Sequence, residues 1–227
     1  SADPPLILNE LVEAFVLRDA SDLHHIEHPA AFRQLLRLAA ADTGNLVNLS
    51  TWAAAAGVSR DTVTRYLQIA EDSHVIRLVP PFIGGKRAEI TSVNKVFFID
   101  NGLRNTLFGG YASTEQRPDA GALWENAIYT ELLKHTELLD NIYFWRSKNG
   151  AEVDFVVQRR EQVLGIEVKA SRLTHPRLSR SARSFIEAYR PRAFAVINAN
   201  LHLDTSAEGV LVMYRRPWEI AEILKIF

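Results

Sequence analysis

Two apolar runs, Val-Asp-Phe-Val-Val at 153–157 and Val-Leu-Gly-Ile-Glu-Val-Lys at 163–169, most constrain what this chain of 227 residues can fold into. Neither run alternates polar with apolar residues, and strands of that kind are buried on both faces. A sheet covered on both faces needs helices on both sides. The flanking sequence supplies them. Residues 123–135 and 176–190 read as helices, the second with Leu178, Ala182, Phe185, Ile186 and Tyr189 on one stripe. Further strands are expected at 142–145, 194–197 and 210–214, and a short helix at 218–224. The fold class is therefore α/β, α+β overall, with a mixed sheet flanked by helices.

Each run is interrupted by one acid, Asp154 or Glu167. An unpaired charge on a buried strand costs several kcal/mol, so each needs a partner. A loop at 159–162 places Asp154 opposite Glu167, with Cβ atoms about 4.5–5.5 Å apart. Lys169 lies two residues beyond Glu167 and shares its face, as does Gly165, which leaves space. Glu125 shares a helix stripe with Ile128, Tyr129 and Leu132 and so points toward the core.

Carboxylates this close repel unless a cation lies between them, and Mg²⁺ (or Mn²⁺) answers that need. Asp154 and Glu167 are the expected ligands, with the Val168 carbonyl as a further one and Glu125 acting through water or on a second ion. Lys169 would orient the water or stabilise charge on phosphorus. The alternative is structural: salt bridges from these acids to Lys169, Arg146 and Lys148.

The first ninety residues read as helical. Residues 8–17 are amphipathic, with Leu11, Phe15 and Val16 on the apolar stripe, and a second helix starts at His28-Pro29. In residues 48–67, Ser50 is expected to cap a short helix, Gly57 to end it and Ser59 to cap the next. Two short helices about a glycine turn suggest a helix-turn-helix, and a strand at 75–79 suggests a wing. Outward residues of the second helix, Arg60, Thr64, Arg65 and Gln68, suit contact with DNA. A second basic stretch, with Arg177 and Arg180 foremost, would track phosphates beside the carboxylates. Asp100-Asn101-Gly102 is expected to turn the chain. The domains are then a helical lead-in at 1–28, a winged helix at 29–90 and a sheet domain at 91–227.

A net charge of −1 gives no global basic field, so nucleic acid must bind through local patches. Cysteine is absent, which excludes disulfides and thiolate zinc sites. No apolar run approaches a membrane span, and a cytoplasmic location is expected. Ser1 in place of Met, with Met213 the only methionine, suggests a fragment.

Glu125, Asp154 and Glu167-Val168-Lys169, in helix-strand-strand-strand order, resemble the PD-(D/E)xK nuclease superfamily. The stretches Val58-Ser-Arg-Asp-Thr-Val-Thr-Arg-Tyr-Leu, Lys95-Val-Phe-Phe-Ile-Asp-Asn-Gly-Leu, Gly121-Ala-Leu-Trp-Glu-Asn, Gly150-Ala-Glu-Val-Asp-Phe-Val-Val and Ile166-Glu-Val-Lys-Ala-Ser resemble the C-terminal domain that follows the ATPase module in many prokaryotic AAA-type ATPases. The resemblance implies an upstream ATPase domain as partner, DNA as ligand and Mg²⁺-dependent phosphodiester hydrolysis. It is equally compatible with a non-catalytic DNA- or protein-binding module that regulates the ATPase. A phosphate loop is not expected here, because Gly84-Gly85-Lys86-Arg87 lacks its spacing and hydroxyl.

Overall fold

The computed structural model describes residues 4–14, 25–85 and 92–227, which fall into two compact units. The first comprises 1–78 and 95–117, the second 79–94 and 118–227. The strand and helix after residue 94 therefore belong with the helical unit, where sequence places the boundary near 91.

In the first unit the helices are α1 (Pro4–Leu11), α2 (Pro29–Ala41), α3 (Leu49–Ala56), α4 (Arg60–Asp72) and α5 (Asn101–Phe108), and the strands β1 (Ile76–Val79) and β2 (Lys95–Phe98) pair. The α2 face of Phe32, Leu35, Leu36 and Ala39 is buried with Trp52, Val63, Tyr66 and Leu67. Trp52 donates its indole N–H to Asp42 at 2.8 Å, so the one polar atom of a buried ring is satisfied. Gly57 ends α3 at φ 67°, a conformation that penalises any Cβ, and Ser59 caps α4 by accepting from the Thr62 amide.

Three local expectations change. The α3 cap is Asn48, which accepts from Thr51, and Ser50 lies inside the helix. Val12 is buried while Leu11 is 49% exposed; Phe15 and Val16 lie outside the described residues. Asp100 does not turn the chain but caps α5, accepting from the Leu103 amide at 2.9 Å.

The second unit contains α6 (Ala120–His135), β3 (Asp140–Arg146), β4 (Glu152–Arg159), β5 (Gln162–Val168), α7 (Arg180–Tyr189), β6 (Ala193–Ile197), β7 (Leu203–Ala207), β8 (Val210–Arg215) and α8 (Ile220–Ile223). The sheet order is β3-β4-β5-β6-β8-β7, with β5–β6 and β6–β8 parallel and the other pairs antiparallel. This is the mixed α+β architecture expected.

Successive residues on a strand face opposite ways. On β4, Phe155 stacks on Tyr129 of α6 with centroids 6.0 Å apart. Val156 packs instead in the cluster formed by Ala182, Phe185 and Ile186 of α7 with Trp145, Phe194 and Val212. Thus α6 covers one face and α7 the other. The sequence misses β7, because Leu-Asp-Thr-Ser-Ala is a largely exposed edge strand without an apolar pattern. Helix α7 starts at Arg180, four residues later than expected, where Ser179 accepts from the Ala182 amide. No helix among the described residues is long and apolar enough to cross a membrane.

Candidate metal and phosphate site

The site lies where β4 and β5 part. Their ladder runs from Arg159↔Gln162 to Phe155↔Ile166, and the next position in this register would pair Asp154 with Glu167, as the sequence suggested. The pairing stops one step short. Across β3–β4, Tyr143 faces Val156 but Trp145 faces Val153, so β4 carries an extra residue around Asp154. Such a bulge bends a strand and redirects a side chain. The Asp154 carboxylate then accepts the Val168 amide at 2.7 Å, standing in for the missing ladder bond.

Glu167 is 5% exposed and takes the Lys169 ammonium on Oε1 at 2.6 Å. Its other oxygen, Oε2, is buried and has no hydrogen-bond partner among the described residues. Alternation from Gly165 places Glu167 on the α7 face, beside Val196 and Tyr214 in register. Burial, and then the Glu167 charge, push the Tyr214 hydroxyl above its ordinary pKa, while Arg183 opposes them. Glu167, Tyr214 and Arg183 therefore share one electrostatic neighbourhood.

Gly165 has a different role from the one expected. A Cβ there would lie 2.6 Å from the Phe194 ring and 2.9 Å from Phe185. The space it leaves is filled by aromatic packing rather than kept for an ion.

Glu125 is half-buried on α6, one turn before Tyr129, and so rides on the helix covering the opposite face of the sheet. Among the described residues no three His, Asp or Glu side chains gather closely enough to hold a metal ion. The fold brings Asp154, Glu167, Val168 and Lys169 together locally, and Glu125 stands on α6.

Beside Lys169 opens a cleft of about 460 Å³, lined by Lys169, Leu173, Arg177, Leu178, Arg180 and Arg183. Arg177 stands in the extended lead-in to α7, not on the helix as expected. Arg183, absent from the expected site residues, joins Arg180 because residues three apart share a helix face. That spacing was legible; the start of the helix that gives it meaning was not. In the first unit, Arg60, Thr64, Arg65 and Gln68 are all exposed on α4. Arg65 lies 3.6 Å from Glu27, and Gln68 donates to Asp72 at 3.0 Å.

Residues 2–114 match a family described as Domain of unknown function (DUF8612), and residues 120–215 match one described as Domain of unknown function (DUF4143). The gap between the two matches falls where the structure divides, at Arg117. An uncharacterized protein of Mycobacterium tuberculosis, Rv2008c, and one of Mycobacterium bovis, Mb2031c, are each 29% identical to the chain over 196 residues. The alignment covers 84% of the chain but 43% of each relative, so the chain spans less than half their length. No solved structure matches.

Proposed function

We propose that the second unit is a PD-(D/E)xK nuclease-like domain that hydrolyses phosphodiesters with Mg²⁺. On this reading the first unit is a winged helix that contacts DNA, and the chain is the C-terminal region of an AAA-type ATPase. The observation that carries the reading is the buried Glu167 Oε2 without a hydrogen-bond partner, next to a lysine that opens on a cationic cleft. A buried carboxylate oxygen left unsatisfied costs about 1–3 kcal/mol, so the position calls for a water, an ion or a ligand as partner.

The donor set fits a hard cation. Asp154 and Glu167 offer carboxylate oxygens and Val168 a carbonyl, the ligand type Mg²⁺ takes, with water completing the shell. When bound, the ion supplies a polarised phosphate and a more acidic water. The chain's own residues do the rest. The Val168 amide fixes one Asp154 oxygen at 2.7 Å, which orients the carboxylate. Lys169, 40% exposed at its side chain, presents a positive charge where charge on a phosphate would grow. Arg177, Arg180 and Arg183 hold the nucleic acid on the same side.

The winged-helix part rests on α3 and α4 about Gly57, on the β1–β2 pair that follows, and on the Leu46–Lys95 bridge. The ATPase part rests on the resemblance and on the large share of each relative lying outside the alignment.

A second reading, a DNA- or protein-binding module without turnover that regulates the ATPase, is favoured by the ion pair between Lys169 and Glu167, which gives both charges a structural partner. Cleavage assays separate the two. Single-stranded, duplex and branched DNA are incubated with the protein and Mn²⁺. Hydrolysis lost in both Glu167→Ala and Lys169→Ala supports the nuclease; absence of hydrolysis from the wild type, with DNA binding retained, supports the module.

A further inference from the structure

We propose that the cleft beside Lys169 is a pocket for a terminal phosphate monoester, so that the domain engages nucleic acid by a phosphorylated end. The proposal deepens the nuclease reading and rests on it for the polymer's identity, though not for the anion. Four cationic side chains, Lys169, Arg177, Arg180 and Arg183, line one cleft that contains no acid in its wall. No carboxylate or hydrogen-bond acceptor among the described residues takes the guanidinium of Arg177, Arg180 or Arg183. Several other arginines are paired: Arg159 with Asp140, Arg215 with Asp204 and Arg216 with Glu219. Lys169 is paired with Glu167 at 2.6 Å, but the three guanidiniums have no such counter-charge among the described residues; they repel one another, and an anion between them removes that cost.

Charge and shape select among anions. A phosphodiester carries one negative charge, a terminal monoester about 1.5 to 2 near neutral pH. A track that follows a backbone spreads its cations along the strand; here they come from the end of β5, the lead-in to α7 and the first turns of α7 and meet in one place. About 460 Å³ suits a single nucleotide, being within the usual range for small-molecule pockets. Leu173 and Leu178 give one wall an apolar surface for a sugar or base. Arginine adds forked donors that match phosphate oxygens.

The test is anisotropy in EDTA, where turnover plays no part, with labelled oligonucleotides of one sequence. They carry a 5′-phosphate, a 3′-phosphate or hydroxyls at both ends, and inorganic phosphate and dAMP serve as competitors. One phosphorylated oligonucleotide should bind at least about tenfold more tightly than the hydroxyl form. Arg180→Ala and Arg183→Ala should abolish that preference, while the equally charge-reducing Lys225→Ala, on an exposed residue outside the cleft, keeps it. Melting temperatures confirm folding.

Equal affinity for all three oligonucleotides overturns the proposal, as does inorganic phosphate binding as tightly as the phosphorylated oligonucleotide. Equal affinity with Mn²⁺-dependent cleavage intact overturns the end pocket alone. A phosphate preference without cleavage upholds the pocket and counts against the nuclease.

Discussion

Replacing Glu167 with leucine in metal-free buffer is expected to stabilise the protein, although it removes an ion pair. Glu167 Oε2 is buried without a hydrogen-bond partner among the described residues, and relieving such a group is worth about 1–3 kcal/mol. The loss on the other side is small. Lys169 is 40% exposed at its side chain, so after substitution its ammonium turns to water, and a half-exposed pair contributes about 0–1 kcal/mol. The balance is a gain of about 0–3 kcal/mol, centred on about 1.5 kcal/mol. For a chain of this length a gain at that centre raises Tm by roughly 3–6 °C. Urea unfolding and thermal scans in EDTA read the change directly.

Addition of Mn²⁺ should then reverse the order. The wild type gains about 2.7 kcal/mol at a hundred times Kd, and Glu167→Leu gains nothing. A destabilised Glu167→Leu in EDTA would falsify the idea that this carboxylate is held at a cost for a ligand, since a structural keystone behaves that way.

Gly165→Ala should destabilise by about 1–3 kcal/mol in urea unfolding, because the new Cβ meets the Phe194 and Phe185 rings inside 3 Å; a neutral result would show that the aromatic cluster can shift. The hydrogen bond from the Arg216 side chain, aided by the Arg216 amide and His202, holds the Glu219 carboxyl at about 2. Its folded pKa is depressed, so its stabilisation is complete above the ordinary value of 4.5 and is lost as pH falls toward 2. Glu219→Gln should cost roughly 2–3 kcal/mol at pH 7 and much less at pH 2, and an unchanged difference across that window refutes the linkage. If α4 contacts DNA phosphates, Arg60→Ala with Arg65→Ala should reduce the salt slope of binding by about 1.8, and an unaltered slope would assign binding elsewhere.

Much of the second unit was legible because its strands are short, apolar and bounded by turns. The register of Asp154 against Glu167 followed from counting across one hairpin, since the length of the loop fixes which residues face each other. Helix caps were readable at Ser59, but at residues 48–50 two good capping residues stand two apart, and the sequence reading placed the cap at Ser50. The structure has Asn48 there, accepting from the Thr51 amide. Exposed edge strands such as β7 carry no burial pattern and could not be found this way.

For the site, sequence by itself determined the residue types, their order and their strand register, because these depend on neighbours within one hairpin. Only the tertiary structure decided which of them meet. A one-residue bulge in β4 turned Asp154 onto the Val168 amide, and α6, which carries Glu125, packed on the face opposite α7. The same packing brought Arg183, from another element, to Lys169. Contacts between elements depend on how sheets twist and helices dock, which no local spacing encodes.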